Sequence, residues 1–493
     1  MKKSTILIKA FSLALVLLML VSMLPACNKQ GEGEKTEEKS QNANAVDTDE
    51  NGIPLDALPD NLNFNREFSI LGNDNRKHQY WCEDADAVSN IDKVIYARNM
   101  TVCERMGVEF QWEFLPGEGK NIGDFIDRIR STSQTGAPYD GIIAYNLVPQ
   151  MVANQGLAAN LYDTDHIDLT APWWPSVYLR EMVVNEQLYC LVESGSYGLL
   201  NHMMAMYFNN DLLEARNLES PYELVKSNEW TVATLKEMIK DTYEDAEADG
   251  KVGEGDIFGY STGTKSKMDC WFFALGNQFS KVENGEVISL MNGEHIGRFV
   301  DTMVDLLSTN DSYPFSSSSQ FGMFMENRVY FFCSSVMLSE KLAAATDITY
   351  NYGVVPMPKM DSTQERYYTH VANCHDTWCV PYNVSDMKCT SAVMECMASE
   401  AFRQINPTYY DIYVKLRYAP DDRLAEMYDL IRDSVTFDFT YLFSRVFTNM
   451  PGDLVKNCYL SPEKYVWATV YAQNENALNA SFEEIVKTFA DKQ

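Results

Sequence analysis

Apolar and polar residues along the first third of the chain follow patterns that predict strands and helices in turn. The segments REFSILG at 66–72 and VEFQWEF at 108–114 have the short, alternating character of strands. Between them, apolar residues recur at helical spacing, with Ser89 as the predicted N-cap and Gly107 as the stop. A further strand is predicted in YDGIIAYN at 139–146. Strands and helices in this order predict a parallel α/β sheet covered on both faces.

A second α/β pattern begins near residue 200. Thr231 is the predicted cap of the helix VATLKEMIKDTYEDA, and strands are predicted at IFGYST, VYFFCSSVM and YGVVPMP. The end of the chain is mostly helical in pattern. Because roughly 430 residues of globular composition exceed one small core, we expect two lobes.

The loops after the predicted strands carry the first candidate site residues. In open α/β sheets, ligands meet the loops beyond the carboxyl ends of the strands. Tyr80 and Trp81 follow the first strand, and Tyr145 and Asn146 follow the third. We therefore expect a ligand at this edge of the sheet.

The chain begins with a basic, then apolar, leader. The stretch from Ala10 to Leu24 is long enough for a signal peptide but shorter than the ~20 residues that span a bilayer. It ends in Leu-Pro-Ala-Cys, which resembles the lipobox of bacterial lipoproteins. That resemblance implies that residues 1–26 are removed and that Cys27 is lipidated. The alternative is an ordinary secretory signal in which Cys27 is incidental.

Composition and charge narrow the partners. Residues 27–63 are polar with few large apolar side chains, so we expect a flexible tether between the anchor and the body. The formal charge of -30 makes a surface that repels nucleic acid and anionic lipid. We therefore expect no nucleic-acid partner and membrane contact only through the anchor. Ten further cysteines are scattered without the dense spacing of a disulfide-rich module.

Several segments together resemble the family 1 extracellular solute-binding proteins of bacterial ABC importers. They run in family order, and we list them here: RNMTVCERMGVEF (98–110), APWWPSVYLREMVVNEQLYCL (171–191), YFNNDLLEARNLESPYELVKSNEWTVATLKEMIKD (207–241), FMENRVYFF (324–332), YGVVPMPKMD (352–361) and YYDIYVKLRYAPDDRLAEMYDLI (409–431). The resemblance implies a monomeric α/β protein with the two-lobe, type II periplasmic-binding-protein-like fold and a ligand cleft between the lobes. We assign lobe I to 64–190 plus 377–405, and lobe II to 191–376 plus 406–493.

The same resemblance implies function. Family members capture mono- or oligosaccharides at the outer face of the cytoplasmic membrane and deliver them to ABC permease subunits, without catalysis and without a required cofactor. Sugars present an apolar face and a rim of hydroxyls, so binders pair aromatic rings with short polar side chains. We therefore predict Trp174, Trp271 and Trp378 as stacking rings, with Asn146 and Asp376 as hydroxyl partners. A tryptophan of the WW pair at 173–174 is expected to be exposed because prolines flank it.

Other classes of function stay open at this point. A lipid-anchored polysaccharide hydrolase would need two positioned carboxylates, and with 70 acidic residues the sequence always offers a pair. No G-x-S-x-G, H-E-x-x-H or P-loop motif is present. A sensor or adhesin, or a binding protein for a solute other than sugar, would keep the same fold.

One motif suggests a metal. DAEADGKVGEGD, residues 245–256, resembles an EF-hand loop with acidic residues at alternating places and Gly250 at the sixth. The alternative is a solvated turn at the end of a helix. The side chains and the carbonyl that would hold a structural calcium are those of Asp245, Glu247, Asp249, Lys251 and Asp256.

Overall fold

The structure is a computed structural model that describes residues 47–83, 89–261, 265–313, 320–345, 348–410 and 422–490. Cys27, the predicted lipid anchor, and the leader before it lie outside these residues. Within the described part of the chain, no helix is both long and apolar enough to cross a membrane.

The described residues form strands and helices that we number in chain order. The strands are β1 (Arg66–Asn73), β2 (Val108–Leu115), β3 (Gly141–Tyr145), β4 (Met204–Asn209), β5 (Phe258–Ser261), β6 (Ser280–Glu283), β7 (Glu286–Ser289), β8 (Val329–Ser335), β9 (Tyr352–Val355), β10 (Thr369–His370), β11 (Asp376–Cys379) and β12 (Val435–Thr436). The helices are α1 (Asn90–Met106), α2 (Ile122–Gln134), α3 (Leu147–Asn154), α4 (Ser176–Met182), α5 (Tyr197–Asn201), α6 (Asn210–Ala215), α7 (Pro221–Lys226), α8 (Val232–Ile239), α9 (Asp269–Ala274), α10 (Glu294–Leu307), α11 (Gln320–Met325), α12 (Met337–Ala344), α13 (Met387–Glu400), α14 (Asp422–Asp433), α15 (Phe439–Leu442), α16 (Met450–Leu460) and α17 (Trp467–Thr488).

The first sheet has the strand order β11-β3-β1-β2. β1 is parallel to β2 and to β3, as predicted, with Phe68 opposite Phe110 and Leu71 opposite Ile142. The added strand β11 is antiparallel to β3 and comes from a distant part of the chain. Apolar residues of β1 and β3 are fully buried, which is expected for strands covered on both faces.

The second sheet has the strand order β5-β8-β4-β9. β5 is parallel to β8, whereas β4 is antiparallel to both β8 and β9. This arrangement brings Met204 at the start of β4 opposite Ser335 at the end of β8. The carboxyl end of β8 and the amino end of β4 therefore share one edge of the sheet.

Local signals for helix ends are confirmed. Ser89 accepts a hydrogen bond from the Asp92 amide in a capping box, and Gly107 ends α1 in the left-handed region at φ 61°. Thr231 caps α8 through the Thr234 amide. The helix after Thr231 is shorter than the pattern predicts and ends at Ile239.

The end of the predicted tether differs from the prediction. Leu58 is 8% exposed and belongs to the core. The buried Asp56 carboxylate lies 2.6 Å from Arg105 and 3.4 Å from Arg403. Ion pairs of Asp56 act together with the buried Leu58 to hold this segment, and composition alone did not reveal them. The flexible tether predicted for 27–63 is therefore wrong for the segment around 54–58, where the Pro54 carbonyl, Asp56 and Leu58 contact the body.

Candidate functional site

A cavity of about 680 Å³ is lined by residues from both sheets and from the C-terminal helices. Tyr145 is the last residue of β3, and Arg76 follows β1 within one helical turn. Met204 and Ser335 line the cavity from the shared edge of the second sheet. The site therefore lies beyond the carboxyl ends of β1, β3 and β8, where α/β sheets place their ligands.

Two half-buried tyrosines supply aromatic surface in this cavity. Tyr145 lies at the first sheet, and Tyr441 lies on α15. Burial raises the pKa of both phenols well above the usual value, so both are neutral hydrogen-bonding groups at physiological pH. Rings of this kind offer a flat apolar face with a polar tip.

A network of side-chain amides fixes the position of Asn373, which lines the cavity. The Asn146 amide donates to Asn373 Oδ1 at 2.8 Å, and Asn146 Oδ1 accepts from Gln150 and Thr377 at 2.8 and 3.0 Å. Asn373 lines the cavity and its own amide donates to the Tyr441 carbonyl at 3.3 Å. Asn146 is fully buried, so it positions Asn373 and does not itself line the cavity.

Buried histidines lie beside this network. His202 and His370 line the cavity, and the His370 ring stacks on Phe273 with centroids 4.7 Å apart. Burial lowers the pKa of His370 to about 3 and those of His202 and His375 to about 4. All three imidazoles are therefore neutral at pH 7. His370 Nε2 is buried without a hydrogen-bond partner among the described residues.

Charged groups also line the cavity. Lys456 Nζ lies 2.7 Å from Asp269 and 3.8 Å from Asp453. Lys267 Nζ donates to Ser334 Oγ at 3.1 Å and lies 4.7 Å above the Phe332 ring. Burial lowers the pKa of Lys267 from its usual value. The cavity thus combines aromatic, amide and cationic groups.

The three tryptophans predicted as stacking rings lie in the core. Trp174, Trp271 and Trp378 are at most 2% exposed, and none of them lines the cavity. The indole N–H of Trp174 donates to Glu395 at 2.8 Å, and that of Trp378 donates to Glu193 at 2.7 Å. The expectation that the prolines expose a ring of the WW pair is wrong, because Glu395 also satisfies the Trp173 N–H.

The remaining predicted ligand residues also have internal partners. Tyr80 is buried, stacks on Trp112 and donates its hydroxyl to the Asn73 carbonyl at 2.9 Å. Trp81 is half-buried and contacts the edge of Phe114. Asp376 is 5% exposed and accepts from Ser196 Oγ at 2.8 Å. These residues support the first sheet behind the cavity rather than lining it.

The calcium-like loop is closed at its neck, where Glu244 and Ile257 exchange backbone hydrogen bonds. The Asp245 carboxylate accepts from the amides of Asp249 and Gly250, and Asp249 accepts from the Lys251 amide. No group of three or more His, Cys, Asp or Glu side chains within the described ranges is arranged to hold a metal ion. The spacing of the acidic residues resembles the EF-hand pattern, but the neck is an antiparallel bridge rather than a pair of flanking helices. Binding of a cation by this loop stays a prediction.

The sequence pattern predicts a site at the loops after β1 and β3 but does not predict most of the residues that line the cavity. Tyr145 was among the loop residues expected near a ligand. Arg76 could have been predicted in the same way, since it follows β1. His202, His370 and Tyr441 come from distant segments that carry no sequence motif. Their convergence depends on tertiary packing that a single sequence does not display.

Comparisons with known proteins identify the fold. No protein-family model matches the chain, and no curated protein matches it. An extracellular solute-binding protein from Staphylococcus aureus in complex with maltose superposes with TM-score 0.57 at 11% identity, covering 86% of this chain and 99% of that chain. The sugar-binding protein MalE from Xanthomonas citri gives TM-score 0.56 at 12% identity, covering 85% and 98%.

A third solved structure is a cyclic α-maltosyl-1,6-maltose binding protein from Arthrobacter globiformis, with TM-score 0.54, 14% identity and coverage of 84% and 98%. At such low identity these likenesses define the fold. The chain therefore has the α/β, two-lobe architecture of periplasmic binding proteins.

Proposed function

We propose that this protein captures a saccharide outside the cytoplasm and delivers it to the permease subunits of an ABC importer. The observation that carries the proposal is the cavity, where Tyr145 and Tyr441 lie close to the short polar side chains of Asn373 and Ser444. Such a combination suits the apolar face and hydroxyl rim of a sugar. About 680 Å³ accommodates a short oligosaccharide.

The similar solved structures support this proposal. Those with the highest TM-scores quoted above are described as solute- or sugar-binding proteins, and one is in complex with maltose. Binding without turnover also agrees with the acids that line the cavity. Asp269 and Asp453 are both ion-paired with Lys456, whereas a glycosidase needs one carboxyl group that keeps its proton to act as the general acid.

The proposal includes a lipid anchor at Cys27, supported by the leader and its Leu-Pro-Ala-Cys ending. An anchored protein expressed in a bacterial host enters the detergent phase on partition of the membranes, and Cys27→Ser moves it to the aqueous phase. Recovery of the wild type in the aqueous phase would contradict the anchor while leaving saccharide binding untouched.

Binding is tested by isothermal titration and thermal unfolding with a panel of oligosaccharides. A matching sugar raises the melting temperature of the wild type. Tyr145→Ala weakens its binding about fivefold, because a stacked ring contributes on the order of 1 kcal/mol. The control Tyr382→Ala removes an exposed ring outside the cavity and keeps the wild-type affinity. A shift with peptides or polyamines and none with sugars would overturn the substrate class, and slow hydrolysis of the bound glycan would indicate an enzyme.

We further propose a structural calcium in the loop at 245–256. Asp256 is 1% exposed and its Oδ1 has no hydrogen-bond partner among the described residues, which leaves an oxygen for a cation at the neck. Calorimetric unfolding with chelator and then with excess calcium is expected to show a rise in the wild type that Asp245→Ala abolishes. Identical melting of both proteins under both conditions would leave only a solvated turn.

A further inference from the structure

The charge lining the cavity is opposite in sign to that of the protein. The whole chain carries a formal charge of -30. Among the described side chains that line the cavity, however, cations outnumber anions. The cations are Arg76, Lys267, Arg445 and Lys456, and the anions are Asp269 and Asp453.

Internal ion pairs account for only part of this positive charge. Arg76 Nε lies 2.5 Å from Glu118, and Lys456 lies 2.7 Å from Asp269. Neither Lys267 nor Arg445 forms an ion pair with a carboxylate of the described residues. Within the described part of the chain, both cations therefore line the cavity without a counter-ion.

Of these two cations, Lys267 has the larger energetic cost of burial. It lies just before α9, where the Cys270 thiol donates to its carbonyl. Among the described residues, its ammonium has one hydrogen-bond acceptor, Ser334 Oγ. An ammonium group has three donors, so Lys267 has donors to spare for a ligand. A cation partly removed from water without an anion is unfavourable, and a bound anion would supply the missing partner.

Arg445 adds a second, more accessible cation at the same cavity. It is exposed and follows α15 on the side of Tyr441. Its charge acts on the Tyr145 phenol, where it opposes the increase in pKa that burial causes. A planar guanidinium with paired N–H groups matches the two oxygens of a carboxylate.

We propose that the cavity binds an acidic saccharide whose carboxylate lies against Lys267 and Arg445, a uronic-acid oligosaccharide being the chemical class. This inference rests on the proposed function, since the aromatic and amide groups bind the sugar rings in both cases. The cations then select the charged ligand over its neutral analogue, because the neutral form would leave Lys267 without a counter-ion.

Matched ligand pairs test this inference. Oligomers of galacturonic, glucuronic and mannuronic acid are titrated into the mature wild-type protein beside their methyl esters of the same length. We expect one acid to bind at least about tenfold more tightly than its ester, and the difference to shrink as salt is raised. Lys267→Gln and Arg445→Gln should each reduce this preference, by weakening binding of the acid more than binding of the ester. The surface variant Lys236→Gln should keep it.

The outcomes separate this inference from the proposed function. Equal affinity for acid and ester, or tight binding of neutral oligosaccharides alone, would overturn the acidic-ligand inference and leave saccharide binding standing. Absence of binding to every acidic and neutral sugar would count against both. If Lys267→Gln fails to fold, the exposed Arg445→Gln decides, and an unchanged acid preference in that variant contradicts the proposal.

Discussion

Replacing His370 with phenylalanine will make the stability of the protein less sensitive to acid. The His370 ring is 4% exposed, stacks on Phe273 and lies edge-on to Tyr441. Burial, with the nearby His375 imidazole and Lys456 ammonium, lowers its pKa from 6.5 to about 3. Phenylalanine keeps the stacked ring and removes the titrating group.

The sign follows from proton binding in the two states. Between pH 6.5 and pH 3 the unfolded chain carries a proton on residue 370 that the folded protein lacks. Stability from this group is therefore complete above pH 6.5 and falls as the pH drops below that value. From pH 7 to pH 5 the loss is about 2 kcal/mol, at ~1.4 kcal/mol for each pH step below the unfolded pKa.

Urea unfolding of wild type and His370→Phe at pH 7 and pH 5 measures this effect. The wild type should lose about 2 kcal/mol more than the variant between the two pH values. Asp438→Asn is a control of opposite sign, because burial raises the pKa of Asp438 to about 7. Its carboxyl group stabilises the fold at low pH and loses that contribution as the pH rises through 7. An equal pH response in wild type and His370→Phe would refute the buried, neutral imidazole.

Two further predictions concern the core behind the cavity. Glu193→Ala should lower the free energy of unfolding by about 3 kcal/mol, because it leaves the buried Arg98 without its ion-pair partner and the Trp378 N–H without its acceptor. Glu193→Gln should cost less, and equal losses in urea unfolding would contradict this reason. Mild oxidation of the folded protein with oxidised glutathione should leave Cys270 and Cys333 reduced although their Sγ atoms lie 3.1 Å apart, because both thiols are fully buried and burial raises the pKa of Cys270. Peptide mapping that finds a disulfide between them would contradict the prediction.

Local signals in the sequence were sufficient for several helix ends and for the order of the first three strands. Ser89, Gly107 and Thr231 end or begin helices where the pattern predicts, because a cap depends on residues within one turn. The parallel order of β1, β2 and β3 followed from the same short-range periodicity. These features need no knowledge of distant contacts.

The site needed information that the sequence does not display. Trp174 is buried because Glu395, 221 positions away, accepts its indole N–H, and Trp378 is buried because Glu193 does the same. From sequence alone, a tryptophan that stacks on a ligand looks the same as one whose indole N–H has a buried acceptor. Tyr441 and His370 entered the cavity through tertiary packing alone.

The most direct test of the account is a crystal structure of the mature protein with the tightest-binding oligosaccharide of the panel. We expect the sugar to occupy the cavity, with contacts to Tyr145 from the first sheet and to Tyr441 from the C-terminal helices. A sugar bound instead in the groove beside Gly293 and Trp467, or anywhere outside that cavity, would contradict it.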